Sequence, residues 1–469
     1  MKITFYGGVN EIGGNKILLE DKKTRIFLDF GKSYKEASKY FEEFVAPRAV
    51  HGIKDYLELD LIPKEEGIYR KDLIEILEEE KINFFDYQNP LIDGVLLSHA
   101  HLDHAGYISF LDENIPIICS EKTKIVLDVL NTIKPSILEN EIVEIVFPRN
   151  KPQKERKRKP RNFKIIAPFK TFQIKDLQIT AIPADHSVLG AVMFLIKGTK
   201  TILYSGDFRL SEISQNQLKE IYDFLKKQKI DYFLSEGTRI LEKETFREID
   251  VYEKVKKIAS KVQGLLAADY SLNDVTRFQT LCKISKETKR KFALPFNYFA
   301  FVTMLKERGV EISNSDNIVL YEKKKGSLQK WEKELLEKYP CVNSEEISKN
   351  KNKYFVILNY YQIQELIDLQ PDENSYFLRA ITEPHSEEME FSEERFINWI
   401  KHFKMQGLTE NGKFERAHIS GHISGRELEE FIKNINPGCI IPIHTEHPEE
   451  FKNLHKNVNL VKKGETIEL

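Results

Sequence analysis

The chain has 469 residues, 41% of them hydrophobic and 31% charged, with a formal net charge of −2. Two domains are expected at that length, and no global positive field announces a nucleic-acid binder. Cys119, Cys282, Cys341 and Cys439 form no CxxC pair, the N-terminus has no signal-peptide core, and no apolar run reaches the ~18 residues of a membrane span, so the chain reads as cytoplasmic, without disulfides or a membrane partner.

Short β-rich runs open the chain: "KITFYG", "NKILLE" and "TRIFLDF". The loop "GGVNEIGG" lacks the Gly-Lys-Ser/Thr ending of a P-loop and opens no long helix, so it reads as a tight strand connection. "RKDLIEILEEEK" (70–81) has the apolar spacing of an amphipathic helix. "DGVLLS" (93–98) is a buried strand with histidines at its end. "KPQKERKRKPRNFK" (151–164) holds eight basic residues and one acidic, the pattern of a solvated loop that could contact RNA or DNA. Strands dominate 163–206, with "FQIKDLQITAIPA" as one of them, and "DYFLSEGT" (231–238) is another.

After about residue 240 helical and strand patterns alternate, from "DVYEKVKKIASKV" and "GLLAAD" to "YQIQELIDL" and "SYFLRAI". Such alternation predicts βαβ units and a mostly parallel sheet over 240–410. Within it, "FNYFAF" and "NYY" read as core, while "DYSLNDVTRF" (269–278) offers a serine cap and Arg277 as a substrate contact. The stretch 411–469 is again rich in histidine, so the middle segment reads as an insertion between a first part, 1–239, and its returning C-terminal part.

The chemistry lies at the ends of apolar runs. "SHAHLDHAG" sets His99, His101, Asp103 and His104 within six positions, and "FLDFG", "PADHSVLG", "LYSGDFR" and "IPIHTEH" add Asp29, His186, Asp207 and His444. One metal ion does not need so many donors; two do. Imidazole and carboxylate without thiolate suit zinc, whereas an all-carboxylate set would favour magnesium or calcium. His51, His385, His402, His447 and His455 lack partner spacing, and His447 with Pro448 reads as a helix start.

The HxHxDH motif at His99–His104, with Asp29, His186 and Asp207, resembles the metallo-β-lactamase superfamily. "LSEGT" with Glu236, "HISGH" with His422 and "IPIH" with His444 are similar to the further motifs of the β-CASP nucleases, and "GGVNEIGGN" is similar to the ribonuclease J branch. The match covers nearly the whole chain, with a longer segment between Asp29 and HxHxDH as a departure. The resemblance implies an α/β fold: a metallo-β-lactamase αββα sandwich with an inserted, Rossmann-like β-CASP domain. It implies two zinc ions, one on His99, His101 and His186, the other on Asp103, His104 and His444. Asp207 would bridge them, and Asp29 would orient ligands from behind. A hydroxide shared by the ions, with Asp103 among the catalytic groups, would attack phosphorus. His422, steadied by Glu236, would be the general acid, and His418 with the backbone of Ser420 and Gly421 would hold a phosphate oxygen.

The function implied is a zinc-dependent ribonuclease acting on single-stranded RNA, endo- or 5′-to-3′ exonucleolytic, in RNA processing or decay, with a homodimer as one possible assembly. His444 at the last motif favours RNA over DNA within the family. The alternatives are a DNA-directed nuclease of the same family, a small ester or thioester hydrolase, and a non-catalytic RNA-binding subunit. The insertion speaks against the ester hydrolase, and the intact donor set speaks against the non-catalytic subunit.

Overall fold

The computed structural model describes residues 1–42, 44–79, 91–149, 151–312, 316–384 and 387–469. His385 and the last two positions of the helix expected over 70–81 lie outside the described residues; the helix itself is Lys71–Glu79. The chain divides into two units, Met1–Thr245 with Gly421–Leu469, and Phe246–Ser420.

The first unit supplies, in chain order, β1 (Lys2–Gly7), β2 (Lys16–Asp21), β3 (Thr24–Phe30), β4 (Gly94–Leu96), β5 (Ile117–Cys119), β6 (Glu144–Phe147), β7 (Lys157–Pro160), β8 (Phe163–Ile165), β9 (Thr171–Ile174), β10 (Leu177–Pro183), β11 (Val192–Lys197), β12 (Thr201–Tyr204) and β13 (Tyr232–Ser235). The second unit supplies β14 (Leu266–Asp269), β15 (Lys291–Pro295), β16 (Ile318–Tyr321), β17 (Cys341–Val342), β18 (Tyr354–Ile357) and β19 (Tyr376–Arg379). The returning chain adds β20 (Cys439–Pro442) and β21 (Thr466–Glu468).

Two sheets build the first unit, in the orders β21-β1-β2-β3-β4-β5-β8 and β20-β13-β12-β11-β10-β9. Side-chain alternation sends Ile202 and Tyr204 to one face of β12 and Leu203 to the other. On the inner face Ile202 and Tyr204 join Ile17, Leu19 and Leu28 of the first sheet, so the sheets pack face to face. On the outer face Leu203, Phe233 and Ile440 meet Ile221 and Leu225 of helix Gln215–Leu225 and Leu428 and Phe431 of helix Gly425–Ile435. Helix Glu121–Ile133 buries Val126, Leu127, Val129 and Leu130. This is the α/β sandwich expected.

Parallel pairing positions the donors. β3, β4 and β5 run side by side in one direction, as do β12, β13 and β20 in the other sheet. Residues at the C-terminal ends of those strands therefore gather along one edge of each sheet.

Three local expectations need correction in this unit. The run 172–184 is not one strand but the hairpin β9–β10, turned at Lys175 with φ +44°. The basic run is not simply a loop: β7 pairs antiparallel with β6. His447 does precede a helical turn with Pro448 in its first position, but that turn is of the 3₁₀ type, Pro448–Asn453.

The second unit is an all-parallel sheet, β17-β16-β15-β18-β14-β19, whose central strands β14 and β18 are buried throughout. It runs to Ser420 rather than 410, because backbone bridges Leu408–Phe414 and Arg379–Arg416 tie the later residues to it. Arg277 is no substrate contact: it is fully buried, donating to Glu248 at 2.7 and 3.0 Å and to the carbonyls of Ala380 and Ala417 at 3.0 and 2.7 Å. Its helix is capped by Asp274, not by a serine. Phe296, Tyr298, Phe299 and Phe301 are core as expected, whereas Tyr361 of "NYY" is 80% exposed. Among the described residues no helix is long and apolar enough to cross a membrane.

Candidate metal centre

Asp29 holds the site from below. It sits near the end of β3 with φ +55°, a left-handed backbone that is uncommon for a non-glycine residue. Its carboxylate accepts from the Ser98 N–H and hydroxyl, both at 2.7 Å, and from the Tyr204 hydroxyl at 2.6 Å; His104 Nδ1 lies 2.6 Å away. Asn15 donates to the Tyr204 oxygen at 2.9 Å. A carboxylate only accepts, so Nδ1 of His104 carries the proton and Nε2 turns inward.

The same logic orients two more rings. His186 Nδ1 is 2.7 Å from the Gly421 carbonyl, which can only accept, so its Nε2 offers a lone pair. His444, at φ +49° beyond β20, places Nδ1 2.8 Å from the Thr238 hydroxyl, whose own proton goes to the His444 carbonyl at 3.2 Å, so its oxygen accepts from the ring. Gly31 is needed because a Cβ there would lie 1.6 Å from the Asp103 carbonyl oxygen.

The donors converge in two groups. Ligand-type atoms of His99, His101, His186 and Asp207 lie within 4.8 Å of one another, as do those of Asp103, His104, Asp207 and His444. Asp207 belongs to both. His101 Nδ1 is 3.1 Å from His99 Nε2 and 3.0 Å from His186 Nε2. Ring nitrogens this close repel unless a proton or cation sits among them. Among the described residues, the buried atoms His104 Nε2 and Asp207 Oδ1 have no hydrogen-bond partner, a costly state in a protein interior. The donor set, its shared carboxylate and these orphaned atoms fit a pair of divalent cations.

The electrostatics of the first donor group agree. In the second, burial works against a charged His104, but Asp207, Asp103 and Asp29 raise its pKa well above the usual histidine range, so an ion bound there must displace a proton. Burial, aided by neighbouring imidazoles, drives His99 and His186 well below the usual histidine range and His101 down to about 4, so all three are neutral at pH 7. Burial opposes ionisation of Asp103 and Asp207, but the facing histidines overcome it and hold both carboxylates ionised. Neutral imidazole and ionised carboxylate are the forms that bind metal.

Beside these groups stands a second pair. Glu236 is fully buried and accepts from the Phe208 N–H at 2.9 Å and the Thr238 N–H at 3.3 Å. His422 Nδ1 lies 3.1 Å from its Oε2 and 3.8 Å from Asp207 Oδ2, with 19% of the side chain exposed. Burial works against the charged ring, yet Glu236 and Asp207 raise its pKa to about 9.

All residues expected at the metals, together with Asp29, Glu236 and His422, are thus assembled within the first unit. His418 and Ser420 close the second unit, and Gly421 opens the return. Gly421 supplies the carbonyl behind His186, where a Cβ would come within 2.7 Å of the ring. Sequence reasoning missed Ser98, Tyr204 and Thr238. Their one signal is closeness in sequence: hydroxyls within three positions of His99, Asp207 and Glu236 in "LSHAH", "LYSGD" and "SEGT".

Residues 85–226 match the beta-lactamase superfamily domain, and residues 411–462 match the Zn-dependent metallo-hydrolase RNA specificity domain. The chain is 21% identical to ribonuclease J of Mycoplasma genitalium over 470 residues, covering 95% of this chain and 68% of that protein. It is 26% identical over 266 residues to the probable RNase MJ4 of Methanocaldococcus jannaschii, with 55% of this chain and 51% of that one covered. A crystal structure of a protein of unknown function from Enterococcus faecalis V583 superimposes with a TM-score of 0.73 at 21% identity, over 100% of this chain and 99% of that one, which establishes the shared fold. Motifs, fold and relatives agree: the chain carries the beta-lactamase superfamily domain, resembles the β-CASP nucleases of the ribonuclease J type, and is a hydrolytic nuclease.

Proposed function

We propose that this nuclease cleaves phosphodiester bonds of single-stranded RNA with two zinc ions, one on His99, His101 and His186 and the other on Asp103, His104 and His444, with Asp207 shared. The observation that carries the reading is the presence of two donor groups with one carboxylate in common, beside a part-exposed histidine on a buried glutamate. Nitrogen and oxygen donors without thiolate suit zinc. RNA is favoured because the RNA specificity domain match spans His422 and His444, and because ribonuclease J is among the similar proteins.

Bound there, two divalent ions supply Lewis acidity for a phosphodiester and a water acidic enough to act as nucleophile near neutral pH. The chain's own part is positioning and proton transfer. Asp29, Gly421 and Thr238 fix the tautomers of His104, His186 and His444. Glu236 keeps His422 protonated, and the ring delivers that proton to the leaving oxygen. The backbone N–H of Gly421 holds a non-bridging phosphate oxygen.

The test is cleavage of 5′-monophosphorylated and 5′-triphosphorylated RNA by zinc-loaded protein, with metal content measured in parallel. Two equivalents of zinc and cleavage of RNA in preference to DNA and thioester are expected. His422→Ala is expected to retain zinc and lose cleavage by roughly 10²–10⁴-fold. Undiminished cleavage by that variant would remove the proposed acid, and inert wild-type protein would remove the reading.

A further inference from the structure

The ribbon β6–β7 takes no part in the metal centre, yet it concentrates positive charge on a chain whose formal net charge is −2 overall. Lys151, Lys154, Lys157, Arg158 and Lys164 are all exposed. Glu144 pairs with Arg158 at 2.6 Å and Glu113 with Lys159 at 3.1 Å. Among the described residues no carboxylate pairs with Lys151, Lys154, Lys157 or Lys164.

The ribbon is also firmly rooted. Fully buried Arg70 donates to Glu141 at 2.6 Å, to Asp72 at 2.8 Å and to the Val146 carbonyl of β6 at 3.1 Å. Arg149 pairs with Glu141, and buried Arg161 donates to the carbonyls of Ser109 and Leu111 at 2.7 and 2.8 Å. Cations displayed on a fixed support lose less conformational freedom on binding than those of a loose loop.

Its place in the sheet sets it apart from the chemistry. β7 leads into the N-terminal end of β8, which runs parallel to β5 and through it to β4, whose C-terminal end leads to His99. Ribbon and metal centre therefore lie at opposite ends of the same strands, separated by at least the roughly 10 Å of a three-residue strand.

We infer that the β6–β7 ribbon is an anchor for the phosphate backbone of the RNA substrate, remote from the cleaved bond. The inference rests on the ribonuclease reading above. A long strand engages ribbon and metal centre together; a dinucleotide, with its single phosphodiester, is held at the metal centre alone.

The test compares wild type with Lys151→Gln/Lys154→Gln/Lys157→Gln. The affinity for an RNA of about 30 nucleotides is expected to fall at least tenfold, and the slope of log K against log salt to weaken by about 2, at ~0.7 for each phosphate no longer neutralised. KM for the long RNA rises with kcat kept, and cleavage of a dinucleotide is unchanged. Equal affinity and salt slope in the two proteins would overturn the anchor, as would tighter binding of the ribbon to phosphatidylserine vesicles than to RNA. Long RNA that binds through the lysines but is never cut leaves the anchor standing and removes the metal-centre reading. RNA that is cut while the triple variant binds it like wild type does the reverse.

Discussion

Tyr204 shows how much of a metal centre lies behind its donors. Its hydroxyl is wedged between Asn15 and Asp29, and Asp29 in turn aims His104. Removing such an outer hydrogen bond commonly lowers metal affinity 10- to 100-fold. Tyr204→Phe should therefore keep the fold and weaken metal retention by about that factor, read by competition with a chromogenic chelator; unchanged retention would show that Asp29 holds its pose without the tyrosine. Gly31→Ala should be harsher, because its Cβ collides with the Asp103 carbonyl, and purified protein should carry less than one metal per chain. At this scale the donors were legible in the sequence. His and Asp side chains that end apolar runs have no packing reason to be there. Ser98, Tyr204 and Thr238 were not legible, because what marks them is nearness in space to groups up to 206 positions away in the chain.

Elements carry a different set of consequences. Lys16 of β2 is almost wholly buried, and its ammonium donates to the carbonyls of Gly14 and Gly31, both at 2.9 Å. Burial pushes its pKa from 10.5 down to about 8. Below pH 8 the folded and unfolded chains both hold the proton. Between 8 and 10.5 only the unfolded chain does, so this group's contribution to stability rises with pH across that window and is complete above it. Measured by urea unfolding, the stability of wild type relative to Lys16→Met should climb by on the order of 3 kcal/mol between pH 7.5 and 10.5; a flat difference would reject the shift. The root of the β6–β7 ribbon offers a second test. Arg70→Met strands the buried carboxylates of Asp72 and Glu141 and should cost about 3–5 kcal/mol in the same assay. Strand β7 was hidden in the sequence because Lys, Arg and Pro are poor strand formers; Ile145, Val146 and Phe147 across the ladder supply what it lacks. Helix Glu121–Ile133 was missed too, its many β-branched residues blurring the helical signal.

At the scale of the whole molecule, every donor belongs to Met1–Thr245 or Gly421–Leu469 and none to Phe246–Ser420. Metal binding should therefore stabilise one unit selectively. Chelation is expected to speed amide exchange in residues 1–245 and 421–469 while leaving 246–420 unchanged, and uniform acceleration would show that the units unfold as one. The insertion itself was legible, since alternating helix and strand patterns announce a parallel sheet. Its far boundary was not, because the bridge between Arg379 and Arg416 is a long-range pairing.

The order of the donors along the chain also sets a clock. His99 to Asp207 come early, but His444 lies beyond the whole of Phe246–Ser420. Synthesis proceeds from the N-terminus at about 5–20 residues per second, so a growing polypeptide holds an incomplete set of donors until its second unit has been made. A copy still short of residue 444 lacks one donor of the second group, and chemistry that needs both groups begins only once that residue has been added.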